Sequence, residues 1–269
     1  MRHVIRSAAV PAILLALLPT IGILTVTPPS SIAQTSRAPR REAAVPFRVG
    51  ETLTYDVTYS SYLVAGTAVT TVQDKRAIPG ATSYYIVVEG RPVPMLASLY
   101  RLYYKMDTLL DSVTLLPHRG SMHAEEGARR RSALTRFDRA AGKGVFEVQT
   151  EPRGSLEFDI PPQVQDGLSG LYVLRSMTLK PGDTISLPVA DEGMVYSVRA
   201  NVTGSERLRV PLGEFDASVL RMTITDPAGQ PAAANTAVWI SNDARRLPLK
   251  MQAELAVGSF VLLLRQASP

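Results

Sequence analysis

The chain has 269 residues, contains no cysteine and carries a formal net charge of +5. Without cysteine it can have neither a disulfide framework nor thiol catalysis nor a lipidated N-terminal cysteine. The net charge is too small to indicate nucleic-acid binding, so we expect no nucleic-acid partner.

The first 33 residues have the composition of an export signal. Arg2 and Arg6 form a basic start, two apolar stretches follow, and Ser31 and Ala33 supply the small residues that signal peptidase requires. The alternative is a membrane anchor, but prolines interrupt the apolar stretches before they reach the roughly 20 residues of a spanning helix. We therefore predict cleavage after Ala33, a periplasmic location and no stable transmembrane anchor.

Residues 34–46 are rich in Ser, Pro and Arg, a composition typical of a disordered leader. Residues 47–266 follow as a single predicted β-rich domain, because no linker or fixed-period repeat divides them. The first strand is predicted at residues 51–60, where apolar and polar side chains alternate. A Pro-Gly turn at 79–80 separates two further strands, as in antiparallel hairpins.

Two short helices are predicted to interrupt the strand pattern. The first follows Pro94, where apolar residues recur at intervals of three and four, namely Met95, Leu96, Leu99, Leu102 and Tyr103. The second begins after Asp166, its predicted N-cap, and places on one side Leu168, Leu171, Tyr172 and Arg175.

The remaining sequence has the pattern of strands separated by turn residues. These strands are predicted at residues 115–117, 129–137, 144–149, 184–189, 194–203, 206–210, 215–225, 237–241, 248–255 and 258–265. About twelve or more strands with two helices indicate a mainly β fold. We predict an antiparallel curved sheet or barrel-like meander with two short covering helices.

Three blocks of the sequence form a recognisable pattern: residues 47–55 followed by Ala65 and Gly66, residues 166–175 followed by 181–183, and residues 238–248. Together, and in this order, they resemble the bacterial domain-of-unknown-function family 3108. The resemblance implies an exported envelope protein of β-rich fold with no assigned reaction or ligand. Curved sheets with covering helices are also similar in architecture to periplasmic lipoprotein carriers, although a shared fold does not fix function.

No catalytic or metal-binding motif is complete. Once the signal is removed the histidines are His118 and His123, and their spacing on a strand directs them to opposite faces. Residues 167–171 begin like a G-x-S-x-G nucleophile elbow but end in Leu171, inside the second predicted helix. We therefore predict no catalytic residue, metal or cofactor. The third functional hypothesis, after the two given below, is a hydrolase whose catalytic residues are dispersed along the chain.

Aromatic and basic side chains near the helices are candidate ligand contacts. If helices and sheet enclose an apolar cavity, aromatics should line it and arginines at its rim should anchor an acidic headgroup. The candidates are Tyr103, Tyr172, Arg175, Trp239 and Arg246. In the alternative interpretation the aromatics fill the core, and the arginines form ion pairs with Asp166 or Asp243.

The leading hypothesis is a non-enzymatic periplasmic protein that binds an apolar or amphipathic envelope component, such as a lipid. The alternative is an envelope-assembly factor that binds an envelope protein through a sheet edge or an arginine-rich face. Arg129, Arg130 and Arg131 belong to a segment that is either a solvated strand face or a surface attracted to anionic lipid. The sequence leaves the ligand, the partner and the oligomeric state open.

Overall fold

The structure is a computed structural model that describes residues 41–59, 63–99, 101–255 and 258–269. The predicted signal and the leader through residue 40 lie outside the described residues. The elements are β1 (Thr52–Tyr59), β2 (Leu63–Ile78), β3 (Ala81–Pro92), α1 (Pro94–Ala97), β4 (Leu102–Asp111), β5 (Pro117–Glu126), β6 (Arg129–Asp138), β7 (Lys143–Val148), β8 (Gly154–Asp159), α2 (Gly167–Ser176), β9 (Thr184–Asp191), β10 (Met194–Val210), β11 (Gly213–Thr225), β12 (Pro231–Ser241), β13 (Pro248–Leu255) and β14 (Gly258–Ser268).

All fourteen described strands belong to one antiparallel sheet with the order β8-β7-β6-β5-β4-β3-β2-β1-β14-β13-β12-β11-β10-β9. Neighbours in sequence are neighbours in the sheet, and pairing of β1 with β14 brings the two terminal strands together at its centre. The sheet is not closed into a barrel, because β8 and β9 remain as its edges. The predicted mainly β, antiparallel meander is confirmed.

Successive connections lie at alternate ends of the sheet, because every strand pair is antiparallel. One end carries α1 together with the turns that join β5 to β6 and β7 to β8, and we call it the α1 end. The opposite end carries both connections of α2, the loop between β12 and β13, and the residues that precede β1.

Helix α2 begins where the sequence predicts, after Asp166. The Asp166 carboxylate accepts a hydrogen bond from the Ser169 amide at 2.8 Å, and the Ser169 hydroxyl contacts the Asp166 amide at 2.9 Å, forming a capping box. Asp166 also accepts a hydrogen bond from the Thr108 hydroxyl at 2.6 Å, which ties the start of the helix to β4.

Helix α2 packs against both halves of the sheet. Leu168 and Tyr172, one turn apart, belong to an apolar cluster with side chains of β2, β3 and β4. Leu171 and Leu174 pack instead against side chains of β9 to β12. Gln165, in the segment between β8 and α2, forms two backbone hydrogen bonds with β9. Its amide donates to the Pro188 carbonyl at 2.9 Å, and its carbonyl accepts from the Ala190 amide at 2.8 Å. The helix therefore links the two halves that the meander leaves apart.

The first helix differs from the prediction. Helix α1 has four residues, none of them buried, so it does not cover the sheet. Leu102 and Tyr103 belong to β4, because their backbones pair with Glu126 and Glu125 of β5. Among the described helices none is long and apolar enough to span a membrane.

Other boundaries also differ from the sequence-based prediction. Strand β8 and most of β5 were not predicted, whereas the two strands predicted at 194–203 and 206–210 form one strand, β10. The described end of the predicted leader lies against the sheet, where the Ala43 amide donates to the Ser112 carbonyl at 2.8 Å. Glu42 pairs with Lys75 at 2.6 Å, which adds a second contact.

Replacing Asp166 with alanine removes the acceptor for the Ser169 amide and the Thr108 hydroxyl. We expect the free energy of unfolding to fall by about 1–2 kcal/mol, as for other N-cap residues. Urea denaturation measures the change. The variant Asp166→Asn keeps a side-chain oxygen for the cap and should lose clearly less, so equal losses in both variants would contradict this role.

Candidate functional site

An apolar cleft of about 330 Å³ lies between α2 and the half of the sheet formed by β9 to β14. None of the described residues that line it is charged, and its polar lining is limited to Thr236 and Gln252. A concave, mainly apolar site of this volume is the common form of a binding site for a small apolar molecule.

The helical wall of the cleft is one face of α2. Gly167, Gly170, Leu171 and Leu174 line it and recur at intervals of three and four residues. The two glycines contribute no side chain, which leaves space between helix and sheet. A Cβ atom at Gly170 would meet only Gln165, at 3.8 Å. On this face of the helix the glycines therefore leave the space of the cleft, and the leucines form its apolar wall.

The strand wall follows from the alternation of side chains along β12 and its neighbours. Val238 faces α2, whereas Trp239 points into a different apolar cluster. Several large side chains of this wall are only half-buried: Val189, Met222, Ile224, Met251, Phe260 and Leu262. Covering this apolar surface with a ligand would be favourable by about 25 cal/mol per Å² removed from water.

A buried ion pair fixes α2 at the end of the cleft. The fully buried Arg175 guanidinium donates to both carboxylate oxygens of Glu51, at 2.7 and 2.9 Å. It also donates to the backbone carbonyls of Arg246 and Arg245, at 3.0 and 3.3 Å. Four hydrogen bonds from one side chain therefore connect α2 to the start of β1 and to the loop between β12 and β13.

Aromatic side chains surround this ion pair. The Phe47 ring packs edge-on against Tyr172 at 4.8 Å between centroids, and the Arg175 guanidinium lies 4.9 Å from the Tyr172 centroid. Burial raises the pKa of the Tyr172 hydroxyl, and it raises the pKa of Tyr55 as well. Both phenols therefore stay protonated at neutral pH, and their role here is packing.

The five residues predicted to bind a ligand do not surround one cavity, and none of them lines the cleft. Tyr103 lies on β4 and donates a hydrogen bond to Glu89 at 2.9 Å. The Trp239 indole donates to Glu206 at 2.6 Å and lies under the Lys250 ammonium, 4.2 Å from the ring centroid. These two aromatics are held by polar partners on other parts of the sheet.

Arg175 was expected at the rim of a cavity or paired with Asp166 or Asp243, and this placement is wrong. It lies in the interior and pairs with Glu51, because the C-terminal turn of α2 points toward the start of β1. Arg246 contributes its carbonyl to Arg175, and its amide, not its guanidinium, contacts Asp243 at 3.2 Å. The role of the five residues in binding stays a prediction.

A second, small cavity lies beside the start of α2. Its volume is about 50 Å³, and it is lined in part by Asp107, Asp166 and Asp191. Burial raises the pKa of Asp166 and of Asp191. The space has room for one or a few water molecules and is too small for an organic substrate. Among the described residues no group of three side chains is arranged to hold a metal ion.

Breaking the buried ion pair should destabilise the fold strongly. Arg175→Met leaves the Glu51 carboxylate without a partner in the interior, and we expect the free energy of unfolding to fall by about 3–5 kcal/mol. Chemical denaturation measures this loss.

The double variant E51L/R175M removes both charges and should recover most of that stability. The surface control Arg209→Met breaks an exposed pair with Glu214 and should cost less than about 1 kcal/mol. A double variant no more stable than Arg175→Met would contradict this interpretation.

The sequence matches one family model. The family DUF3108, described as a protein of unknown function, matches residues 54–265. No curated protein matches the sequence.

Three solved structures match this chain over most of its length. A β-barrel-like protein of the domain of unknown function DUF1849 from Brucella abortus has a TM-score of 0.51 and 11% identity, covering 82% of this chain and 97% of its own. An exported-protein candidate with a YmcC-like fold from Bacteroides fragilis has a TM-score of 0.35 and 11% identity, covering 85% of this chain and 100% of its own. A lipoprotein candidate from Parabacteroides distasonis has a TM-score of 0.36 and 7% identity, also covering 85% of this chain and 100% of its own. The first of these likenesses shows a shared β-barrel-like fold.

Proposed function

The chain belongs to the family DUF3108, whose function is unknown, and we propose that it is a non-enzymatic protein that binds an apolar or amphipathic envelope component. The binding site is the cleft between α2 and strands β9 to β14. The observation that carries this proposal is an open cleft whose walls are half-buried apolar side chains and whose lining contains no charged residue.

The chemistry of the cleft favours an acyl chain or a similar hydrocarbon. A charged group inside it would lose hydration without gaining a partner, since Thr236 and Gln252 are its polar lining. Gln252 already donates its side-chain amide to the Asn235 carbonyl at 3.2 Å. An amphipathic ligand would therefore place its hydrocarbon part in the cleft and keep its headgroup in solvent.

The proposed location of this function is the periplasm. The predicted export signal at residues 1–33 supports it, and an apolar envelope component needs a protein cover to cross an aqueous compartment. In this interpretation the family fold provides a carrier or a sensor for such a molecule.

Filling the cleft should abolish binding without unfolding the protein. Ala253 lines the cleft and is half-buried, so Ala253→Trp adds a large side chain with room to extend into the open space. We expect the Kd for a fluorescent fatty acid, measured by titration, to rise at least about tenfold, because the indole occupies the volume of the ligand.

The matched control is Ala234→Trp, an exposed alanine on the adjacent strand that does not line the cleft. It should bind the probe with unchanged affinity, and both variants should keep the urea midpoint of the parent. A protein that takes up no apolar probe, or an Ala253→Trp variant with the affinity of its parent, would refute the proposal and favour a protein-interaction factor.

A further inference from the structure

The α1 end of the sheet exposes apolar side chains. Met95 is 65% exposed and Leu99 is 79% exposed, the two highest values among the large apolar residues that the structure describes. Both belong to the connection between β3 and β4, where α1 buries none of its residues. Two such side chains at a chain reversal form a tip that projects from the sheet.

Arginines lie next to this tip. The Gly127 amide, in the turn between β5 and β6, donates to the Arg101 carbonyl at 2.8 Å, so this turn lies beside the residues that follow α1. A depression of about 870 Å³ adjoins it, lined by Arg101, Arg129, Arg130 and Arg131 and by a single acidic residue, Glu151.

The acidic residues near this depression neutralise it only in part, since Arg131 pairs with Glu192 but the other three arginines share few carboxylates. Arg101 and Arg130 both face Glu125, at 4.0 and 3.8 Å, so one carboxylate serves two guanidinium groups. Arg129 has no ion pair within the described part of the chain. The side chains of Arg101 and Arg130 are 62% and 60% exposed, which leaves their charges accessible to an external anion.

We propose that the α1 end is a docking surface for an anionic lipid bilayer. Met95 and Leu99 enter the boundary between headgroups and acyl chains, and the arginines of the depression contact lipid phosphates. Exposed apolar side chains next to basic residues are the chemistry of interfacial membrane binding. Each Arg near an anionic bilayer adds to the attraction, and guanidinium groups match phosphate oxygens geometrically.

A bilayer fits these observations better than a protein partner. The apolar tip consists of two exposed side chains, whereas a stable protein interface needs a broad complementary surface. The arginines lie at the start of β6 and directly before β4, beside the tip, where phosphates of a bilayer that receives the tip would reach them. This surface is separate from the cleft, so the inference stands whether or not the cleft binds a ligand.

Vesicle co-sedimentation of a chain of residues 34–269 tests the proposal, since this chain contains all described residues. We expect binding to phosphatidylcholine vesicles with about 30% phosphatidylglycerol, little binding to phosphatidylcholine alone, and weaker binding as salt rises. The variants M95S/L99S and R129A/R130A should each reduce the binding constant at least about tenfold.

Two controls keep the test specific. Val49→Ser changes another exposed apolar side chain, and R207A/R209A removes two exposed arginines, all at the opposite end of the sheet. Both should bind within about twofold of the parent. Absence of binding to the anionic vesicles, or equal losses in variants and controls, would overturn the proposal. A concentration-dependent dimer that M95S/L99S abolishes, without vesicle binding, would instead assign this surface to a second copy of the chain.

Discussion

The Arg175–Glu51 ion pair is the interaction on which the position of α2 depends. Both groups lie in the interior, where removing a charge from water is costly, and only the complete set of hydrogen bonds offsets that cost. Because Glu51 precedes β1 and the accepting carbonyls belong to the loop between β12 and β13, the guanidinium connects three distant segments. A packed apolar residue could fill this space but would not fix the orientation of the helix with the same geometric precision.

The fixed helix in turn defines the cleft. One face of α2 packs closely on β2 to β4 through Leu168 and Tyr172. The adjacent face contacts β9 to β12 through Leu171 and Leu174 but leaves space beside Gly167 and Gly170, which have no side chains, and this space is part of the cleft. The cleft extends to Phe260, near the start of β14 and therefore toward the α1 end. Docking of the α1 end to a bilayer, as proposed, would therefore bring this end of the cleft close to the lipids that could supply an acyl ligand.

The meander and α2 could be predicted from the sequence, because alternation, turn residues and the Asp166 cap are local signals. The cleft could not. Trp239 was predicted to bind a ligand because of its size, but side-chain alternation directs it away from α2. The helix face that lines the cleft contains two glycines, and glycine gives no sequence signal of an apolar binding site. Glu51 and Arg175 are 124 residues apart, so no local pattern shows that they pair. In β10 the pairing shifts between Val202 and Gly204, which exchanges the two faces of the strand and makes its sequence resemble two strands.

Native mass spectrometry of the protein purified from the cells that express it, followed by organic extraction, would test most directly whether the cleft holds an apolar molecule in the cell. We expect a reproducible mass increment that extraction identifies as a lipid or another hydrocarbon-containing molecule, and its loss from the Ala253→Trp variant but not from Ala234→Trp. Protein that is consistently empty, or an increment that survives in Ala253→Trp, would contradict binding in the cleft.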